Sequence, residues 1–496
     1  MTKRVYEYLL EAEEQSPDVV ALEFMGQQIP FKTVAHNARV MAGGLKAQGL
    51  QAGEAIGLML PNIPQFADVL YGAWFDDLVV VPMNVLLTGP EVRYLVEDSS
   101  IKLLVVFEMF LPAVEEAIRD MDAPPKVVVI GNAGAHIPYP RLLEAQPVEP
   151  VRNAGDAHVL TIYTSGTTGK PKGAVISNEN VVTQMDMTDD LFPQVEGDRT
   201  LCVLPLFHVF ALNGVLCSSF RHQGTIVLHP RFDLEAAVNS LSQDRVTIFA
   251  GVPTMYFYIL QHTADTDVQF PHLRVCFSGG AAMPLETMNA FEGRFGVEIY
   301  EGYGLTETTV SICCNRPEAR RPGSVGKPLP GVELQTVDDA GNPTPIGKPG
   351  EIIVRSGNVM QGYLNRPDAT AETIKDGWLY TGDIGHIDED GFVFIVDRKK
   401  DMIIKGGYNI YPREIEEVLH TLEGVVEAAV VGVDDDAKGE QVRAVISTRP
   451  GSELKEEEIE QYLSANLAKY KLPNEYVFMA ELPKGPTGKI LKRELR

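Results

Sequence analysis

Eleven consecutive residues, Tyr163-Thr164-Ser165-Gly166-Thr167-Thr168-Gly169-Lys170-Pro171-Lys172-Gly173, gather the groups that a polyphosphate needs. Three glycines let the backbone turn its N–H groups toward an anion, and four hydroxyls and two lysines add donors and charge. The apolar runs Val159 to Tyr163 and Ala174 to Ile176 read as strands on either side, so the segment connects them. A solvated hairpin satisfies the same composition. A Walker A loop does not fit, because it needs GxxxxGK followed by Ser or Thr. The nearest such spacing, Gly341 to Gly347-Lys348, is one residue too long and runs into Pro349. A GxGxxG fingerprint is absent, which weighs against a dinucleotide.

Four further side chains could work on a bound polyphosphate. Glu307, in a turn of Gly and Thr, reads alone as a solvated carboxylate. Beside a phosphate loop it becomes a ligand for Mg²⁺, which takes one or two protein oxygens and completes its octahedron with phosphates and water. Asp383 follows Gly382 and in isolation is a turn carboxylate, yet an acidic side chain is also the natural acceptor for two ribose hydroxyls. His208, within Pro205-Leu206-Phe207-His208-Val209-Phe210, reads alone as a satisfied core histidine. Lys489 sits in a Pro/Gly turn near the C-terminus and reads alone as a solvated amine. A reaction in which a carboxylate attacks a phosphate changes that reading. Two anions then meet, and an ammonium bridging them stabilises the transition state by about 3 to 4 kcal/mol if it acts like one oxyanion-hole donor.

Taken in order, these segments resemble the motifs of the adenylate-forming superfamily of acyl-CoA synthetases, adenylation domains and firefly luciferase. Thr164 to Gly173 is similar to its phosphate loop, Tyr303-Gly304-Leu305-Thr306-Glu307 to its adenine and magnesium motif, and Tyr380-Thr381-Gly382-Asp383 to its ribose motif. Asp397-Arg398 is similar to the hinge, and Gly406-Gly407-Tyr408-Asn409-Ile410-Tyr411-Pro412 and Pro486-Thr487-Gly488-Lys489 to the later motifs. Together with the N-terminal segment, the resemblance spans essentially the whole chain.

It implies an ATP site of Thr164, Ser165, Gly166, Thr167, Thr168, Gly169 and Lys170, with Tyr303 giving adenine a flat face beside Gly280, Ala281, Glu301 and Gly302. Thr306 belongs to the same motif. The family often has Gln or Asn where Glu301 stands, so a side-chain contact to the base is less secure here. Asp383 and Arg398 would hold the ribose, Glu307 and Thr164 the Mg²⁺, and Gly406 and Gly407 the pantetheine channel of coenzyme A. His208 would border the carboxylate pocket, closing it without exchanging protons, and Lys489 would serve adenylation.

The implied reaction activates a carboxylic acid with ATP as acyl-AMP and passes the acyl group to coenzyme A. An amino-acid adenylating domain usually places an acid after the position of His208 to pair the α-amine, but Val209 to Leu216 has none. The apolar stretches Leu201 to Leu216 and Val252 to Ile259 suit a medium or long fatty acid, although an ordinary core would look much the same. The alternatives are an aryl-acid CoA ligase, a ligase loading a carrier-protein phosphopantetheine, and a non-catalytic nucleotide-binding homologue, which Glu307 and Lys489 together oppose. Motifs shared across the superfamily also admit luciferase-like light emission.

To position such groups the chain needs more than one core, since domains usually hold about 100 to 200 residues and this one has 496. No internal repeat is visible. Short β-branched runs at Val79 to Val81, Leu103 to Phe107, Lys126 to Ile130, Thr225 to Leu228 and Val275 to Ser278 alternate with amphipathic stretches such as Phe31 to Gly49 and Leu234 to Asp244. That rhythm predicts an α/β fold whose large N-terminal body is built of βαβ layers. After a Gly/Pro cluster at Ala340 to Gly350, Glu351 to Arg355 and Gly391 to Val396 read as antiparallel strands.

Beyond Asp397 the elements read as a compact α+β unit. It has a helix over Pro412 to Leu422 with Ile415, Val418, Leu419 and Leu422 on one face, strands at Val425 to Val433 and Val442 to Thr448, and an acidic helix over Glu453 to Tyr470. The expected domains are residues 1–396, binding acid and ATP, and 397–496, a mobile catalytic cap hinged at Asp397. Sixteen basic and nineteen acidic residues make the cap nearly neutral beside an acidic body.

The net charge of −25 sets the surface against nucleic acid and anionic lipid. Five cysteines, without a CxxC pair or zinc-site spacing, fit buried thiols in a reducing cytoplasm. The first residues carry no secretory h-region. Leu201 to Phe220 lacks Asp, Glu, Lys and Arg over twenty residues, but Pro205, His208, Asn213 and Gly214 interrupt it, which predicts a buried strand, loop and helix entrance rather than a membrane span. A peripheral membrane contact stays among the alternatives, and oligomeric state leaves no mark in the sequence.

Overall fold

The computed structural model describes residues 3–151, 156–164, 170–189, 191, 195, 197–405, 408–435, 439–449, 452, 454–485 and 488–496. Their strands form four sheets. The β-branched runs named above become neighbours in two of them, because each alternates with a helix that returns the chain to the same edge.

In the first sheet Val79–Pro82, Ala55–Met59, Leu103–Phe107 and Lys126–Ile130 pair in parallel. His158–Thr164 extends this sheet in parallel, and Lys172–Ser177 then folds back antiparallel against it. In the second, Thr225–Leu228, Arg199–Cys202, Ile248–Gly251, Val275–Ser278 and Ile299–Tyr303 run parallel side by side. The helix Pro64–Phe75 buries eleven of its twelve residues, as a helix apolar all round must. Its Tyr71 stacks on Phe220 at 5.4 Å, and its Trp74 indole N–H donates to the Val159 carbonyl at 3.1 Å. One core therefore joins both parallel sheets, with Val80, Leu103, Ile226 and Phe249 all in it.

The third sheet is antiparallel, as expected, and places Glu333–Val337, Gly350–Arg355, Trp378–Ile387 and Val393–Arg398 in that order. A smaller C-terminal domain follows. Its sheet joins Val425–Asp435 and Gly439–Thr448 to the short strands Ile403–Lys405, Tyr408–Ile410 and Glu475–Phe478. Ile415 and Leu419 of the helix Pro412–His420 pack into that sheet's core.

One expectation needs correction, and three strands are additional. The acidic helix runs Glu456–Asn466, not Glu453 to Tyr470. Three glutamates in its first turn complement the helix N-terminus, and at Leu467 the backbone becomes extended before a separate 3₁₀ turn at Lys469–Lys471. The three short C-terminal strands were not foreseen, since three or four residues show too little alternation. Leu201 to Phe220 forms a strand end, a loop, a π-helix at Phe210–Cys217 and part of the helix Ser218–Arg221. No helix among the described residues is long and apolar enough to cross a membrane. All five cysteines are buried and unbridged, and burial pushes the thiols of Cys202 and Cys217 up to about 12.

Candidate active site

The phosphate-loop candidate connects two antiparallel strands, with Thr164 opposite Lys172 at its base. The Thr164 hydroxyl donates to the Lys172 carbonyl at 3.4 Å. Ser165, Gly166, Thr167, Thr168 and Gly169 lie outside the described residues, but the loop's anchors are visible. The Tyr163 hydroxyl donates to Asp98 at 2.8 Å, and the Tyr94 hydroxyl to the Pro171 carbonyl at 2.8 Å. Arg366 ties the two together, reaching Asp98 at 2.9 Å and the Tyr94 hydroxyl at 3.0 Å. Both ends of the loop are thus fixed to one buried carboxylate and its partners. The Lys170 ammonium lies 5.1 Å from the Tyr94 ring centroid, and that of Lys172 lies 5.0 Å from Tyr363, so each is held over an aromatic face.

Glu307 stands on a strapped turn. The strand Ile299–Tyr303 leads into Gly304, where a Cβ would lie 1.9 Å from the Val310 carbonyl oxygen, so only glycine fits this return of the chain. At Thr309 φ is +64° and ψ is −36°, and the Val310 N–H donates to the Thr308 carbonyl at 2.7 Å. That is a strained γ-turn in a β-branched residue, and it persists only under outside constraint. The constraint is Asn358, fully buried, whose amide donates to the carbonyls of Thr308 and Ser311 at 2.9 Å and to Gln184 at 2.7 Å. The Thr309 hydroxyl returns a bond to the Asn358 carbonyl at 2.7 Å. Met360 donates its N–H to the Glu307 carbonyl, and the Tyr363 hydroxyl donates to Glu307 Oε1 at 2.8 Å. Thr306 opens the same short 3₁₀ turn.

The nucleoside end is built from two sheets. Gly280 and Ala281 follow the strand Val275–Ser278, Gly280 with φ at +83°. Glu301 is buried, and its Oε1 accepts the Met283 N–H at 3.1 Å, so its carboxylate supports the loop that carries Gly280 and Ala281. Burial pushes Glu301 up to about 7. Asp383 and Arg398 face each other across antiparallel strands, Arg398 Nε 3.3 Å from Asp383 Oδ1. The Tyr303 hydroxyl donates to Asp383 Oδ2 at 2.6 Å. Burial holds the Asp383 carboxyl above the usual range although Arg398 and Tyr303 pull it down.

Lys489 comes from the C-terminal domain into this site. A Cβ at Gly280 would lie 3.1 Å from its Cε, a close approach that favours glycine there. Burial pushes the Lys489 ammonium down to about 8, helped by Arg398 and opposed by Asp383. With His208, Phe210 and Val252, Lys489 encloses a small pocket. The Phe210 N–H donates to His208 Nδ1 at 3.3 Å, and burial with the nearby Lys489 charge pushes the imidazole down to about 3. The ring is therefore neutral near neutral pH. Gly406 and Gly407 lie outside the described residues. Asp397 is buried, and its carboxylate accepts the N–H groups of Arg398 at 2.7 Å and Arg413 at 2.9 Å.

Thr164, Gly280, Ala281, Glu301, Gly302, Tyr303, Thr306, Glu307, Asp383, Arg398, His208 and Lys489 all line one cavity of about 2310 Å³. Among the described residues no group of three or more His, Cys, Asp or Glu could hold a metal ion. Glu307 with a threonine hydroxyl is the sparse oxygen set that Mg²⁺ accepts when phosphates complete its shell. Sequence reasoning missed Asp98, Arg366, Tyr94, Tyr363 and Asn358. Their partners lie far off in the chain, 56 residues for Tyr363 and Glu307 and 268 for Arg366 and Asp98, so no local spacing could signal them.

A cleft in which a lysine of the C-terminal domain meets a carboxylate-bearing turn fits the class of adenylate-forming ligases. Residues 9–364 match the AMP-binding enzyme family and residues 414–489 the AMP-binding enzyme C-terminal domain. A long-chain-fatty-acid–CoA ligase of Bacillus subtilis (strain 168) is 33% identical over 526 residues, covering 99% of this chain and 94% of its own. A feruloyl-CoA synthase of Amycolatopsis sp is 34% identical, covering 97% and 96%. The anthranilate CoA ligase AuaEII, solved with anthranoyl-AMP, superposes with a TM-score of 0.92 at 29% identity, covering 99% of this chain and 96% of that one. The chain belongs to the AMP-binding enzyme family of AMP-forming acid–thiol ligases, which use ATP, coenzyme A and Mg²⁺.

Proposed function

We propose that this ligase activates medium- or long-chain fatty acids. The observation that carries the reading is the reach of the cavity. Its lining includes His208, Lys489 and Phe210, then Ala250 and Phe277, which stand in register, and, two residues back along the same strands, Ile248 and Val275, with Thr200 in register beside Ile248. Each methylene laid along that wall contributes about 0.8 kcal/mol. Arg274 is paired with Asp198 at the far end and so offers no unmatched charge to an acid's tail.

In the first step the acid's carboxylate oxygen attacks the α-phosphorus of ATP, and the bond to pyrophosphate breaks. Lys489, charged below about 8, meets the charge that gathers between carboxylate and phosphate. Glu307 and Thr164 would hold the Mg²⁺, which supplies charge neutralisation on the phosphates. Asp383 accepts from the ribose hydroxyls, with Arg398 beside it, and His208 walls the carboxylate seat as a neutral ring. In the second step the sulfur of coenzyme A forms a bond to the acyl carbon, the C–O bond to AMP breaks, and the thiol proton leaves to solvent. Gly406 and Gly407 would line the thiol's approach, and residues 397–496 would turn at Asp397 between steps.

An aryl acid is the second reading, and one observation favours it. The Phe210 ring sits between Gly214 and Gly279, each of whose missing Cβ positions lies 3.3 Å from it, and offers a flat face beside the carboxylate seat. A homologous series from acetate to long fatty acids, run beside benzoate, ferulate and amino acids, tests both. AMP and thioester are quantified with coenzyme A or a carrier-protein phosphopantetheine as acceptor. A maximum in kcat/KM at roughly eight or more carbons is expected; a maximum at an aryl acid or acetate overturns the fatty-acid reading and leaves the adenylation step standing.

A further inference from the structure

The hairpin that delivers Lys489 has a second lysine at its base. Lys484 pairs with Ile490 across it, Leu491 donates its N–H to the Pro483 carbonyl at 2.8 Å, and Gly485 donates to the Lys489 carbonyl at 2.8 Å. The Lys484 ammonium has three polar partners. Glu427 lies at 2.7 Å and Glu481 at 3.0 Å, both within the C-terminal domain. The third is the hydroxyl oxygen of Tyr258 at 2.8 Å, on the helix Pro253–Thr263 of the N-terminal body. The ammonium also lies 5.3 Å from the Tyr258 ring centroid. Only this third contact crosses between the two bodies.

The same helix receives the tip of the hairpin. A Cβ at Gly488 would lie 3.0 Å from Val252 Cγ2 and 3.3 Å from Thr254 Oγ1. Thr254 and Tyr258 are four residues apart and so share one helix face. The hairpin therefore rests on that face at two points, its tip against Thr254 and its base against Tyr258, with Lys489 passing between them toward Gly280. A hydrogen bond to a charged group, in a partly buried setting, is among the stronger single contacts a side chain makes.

We propose that Tyr258 is a positioning residue for adenylate formation. It seats Lys484, and through the hairpin it holds Lys489 in the site. The inference rests on the ligase reading and on the phosphate-facing role of Lys489 argued above. It assigns to Tyr258 no contact with substrate, and it confines its effect to the step that needs Lys489 in place.

The test uses the full chain and an acid that the wild type activates. Tyr258→Phe removes one oxygen and keeps the ring; Lys484→Met removes the charge and keeps the stem. Pyrophosphate release from acid and ATP, thioester formation from supplied acyl-AMP and coenzyme A, and thermal unfolding are measured for each variant and for Tyr258→Phe combined with Lys484→Met. Pyrophosphate release should fall about tenfold in Tyr258→Phe, the order expected for one charged hydrogen bond. Thioester formation should stay within about twofold, the unfolding temperature should not move, and the double variant should be no slower than Lys484→Met, as for two members of one contact. Unchanged pyrophosphate release, or equal loss in both half-reactions, overturns the inference alone. A wild type that releases no pyrophosphate with any acid overturns the ligase reading and this inference with it.

Discussion

Burial has placed Lys489 where its charge depends on pH near neutrality. Because its pKa is depressed to about 8, the ammonium is the dominant form below that value and is lost as pH rises through it. If the charged form serves adenylation, kcat/KM for ATP, which reports the free enzyme, should fall on the alkaline side with an inflection near 8. Lys489→Ala should abolish pyrophosphate release and largely spare thioester formation from acyl-AMP. In the residual activity of Lys489→Arg the alkaline inflection should vanish, because a guanidinium keeps its charge. An unchanged inflection in that variant would assign the limb to another group. His208, pushed down to about 3, should contribute no acidic limb above pH 5.

At the scale of elements, two structures shape the site: the strapped turn under Glu307 and the strand wall of the proposed acyl passage. Asn358→Ala removes the amide that secures the carbonyls of Thr308 and Ser311; the Thr308 carbonyl keeps the Val310 N–H, while the part-buried Ser311 carbonyl loses this donor at a cost of about 1 to 3 kcal/mol. The strained γ-turn at Thr309 then has less to hold it. The expected outcome is a higher Mg²⁺ requirement for pyrophosphate release together with a lower unfolding temperature, whereas Glu307→Ala should raise the Mg²⁺ requirement without the loss of stability. A Mg²⁺ titration beside thermal unfolding separates them. On the strand Ile248–Gly251, Ala250 is buried in the cavity wall and pairs with Phe277. Ala250→Phe should fill the passage and move the optimum in the acid series to shorter chains with little change at the shortest acid; an unmoved optimum places the acyl chain elsewhere.

Much of this scale was legible in the sequence, since runs such as Leu103–Phe107 and Val275–Ser278 carry the β-branched signal of buried parallel strands. The straps were not. Asn358 and Tyr363 gain their meaning only when the third sheet's connection is laid over the turn at Glu307. The acidic helix was overextended because the apolar residue Leu467 continues its stripe after the backbone has already left the helix.

For the whole molecule the decisive joint is where the strand Val393–Arg398 hands the chain to the C-terminal domain. Asp397 accepts from Arg398 and Arg413 backbone N–H groups, and the Arg413 side chain donates to the Ile395 carbonyl at 2.7 Å. These bonds fasten the start of the helix Pro412–His420 to the strand in the arrangement that has Lys489 in the site. A turn of the domain about Asp397 would have to exchange them and to change the backbone dihedrals there. Two variants separate these requirements. Asp397→Ala loses the carboxylate and keeps a free backbone, so it should weaken pyrophosphate release while the complete cycle still runs. Asp397→Pro loses the carboxylate and also fixes φ near −65°. In that variant one half-reaction should survive near the Asp397→Ala level, while the complete cycle from acid, ATP and coenzyme A to thioester collapses. The comparison uses pyrophosphate release, thioester formation from acyl-AMP, and steady-state turnover on the same preparations. If Asp397→Pro matches Asp397→Ala in all three, the pivot lies at another residue and the boundary between the two bodies moves with it.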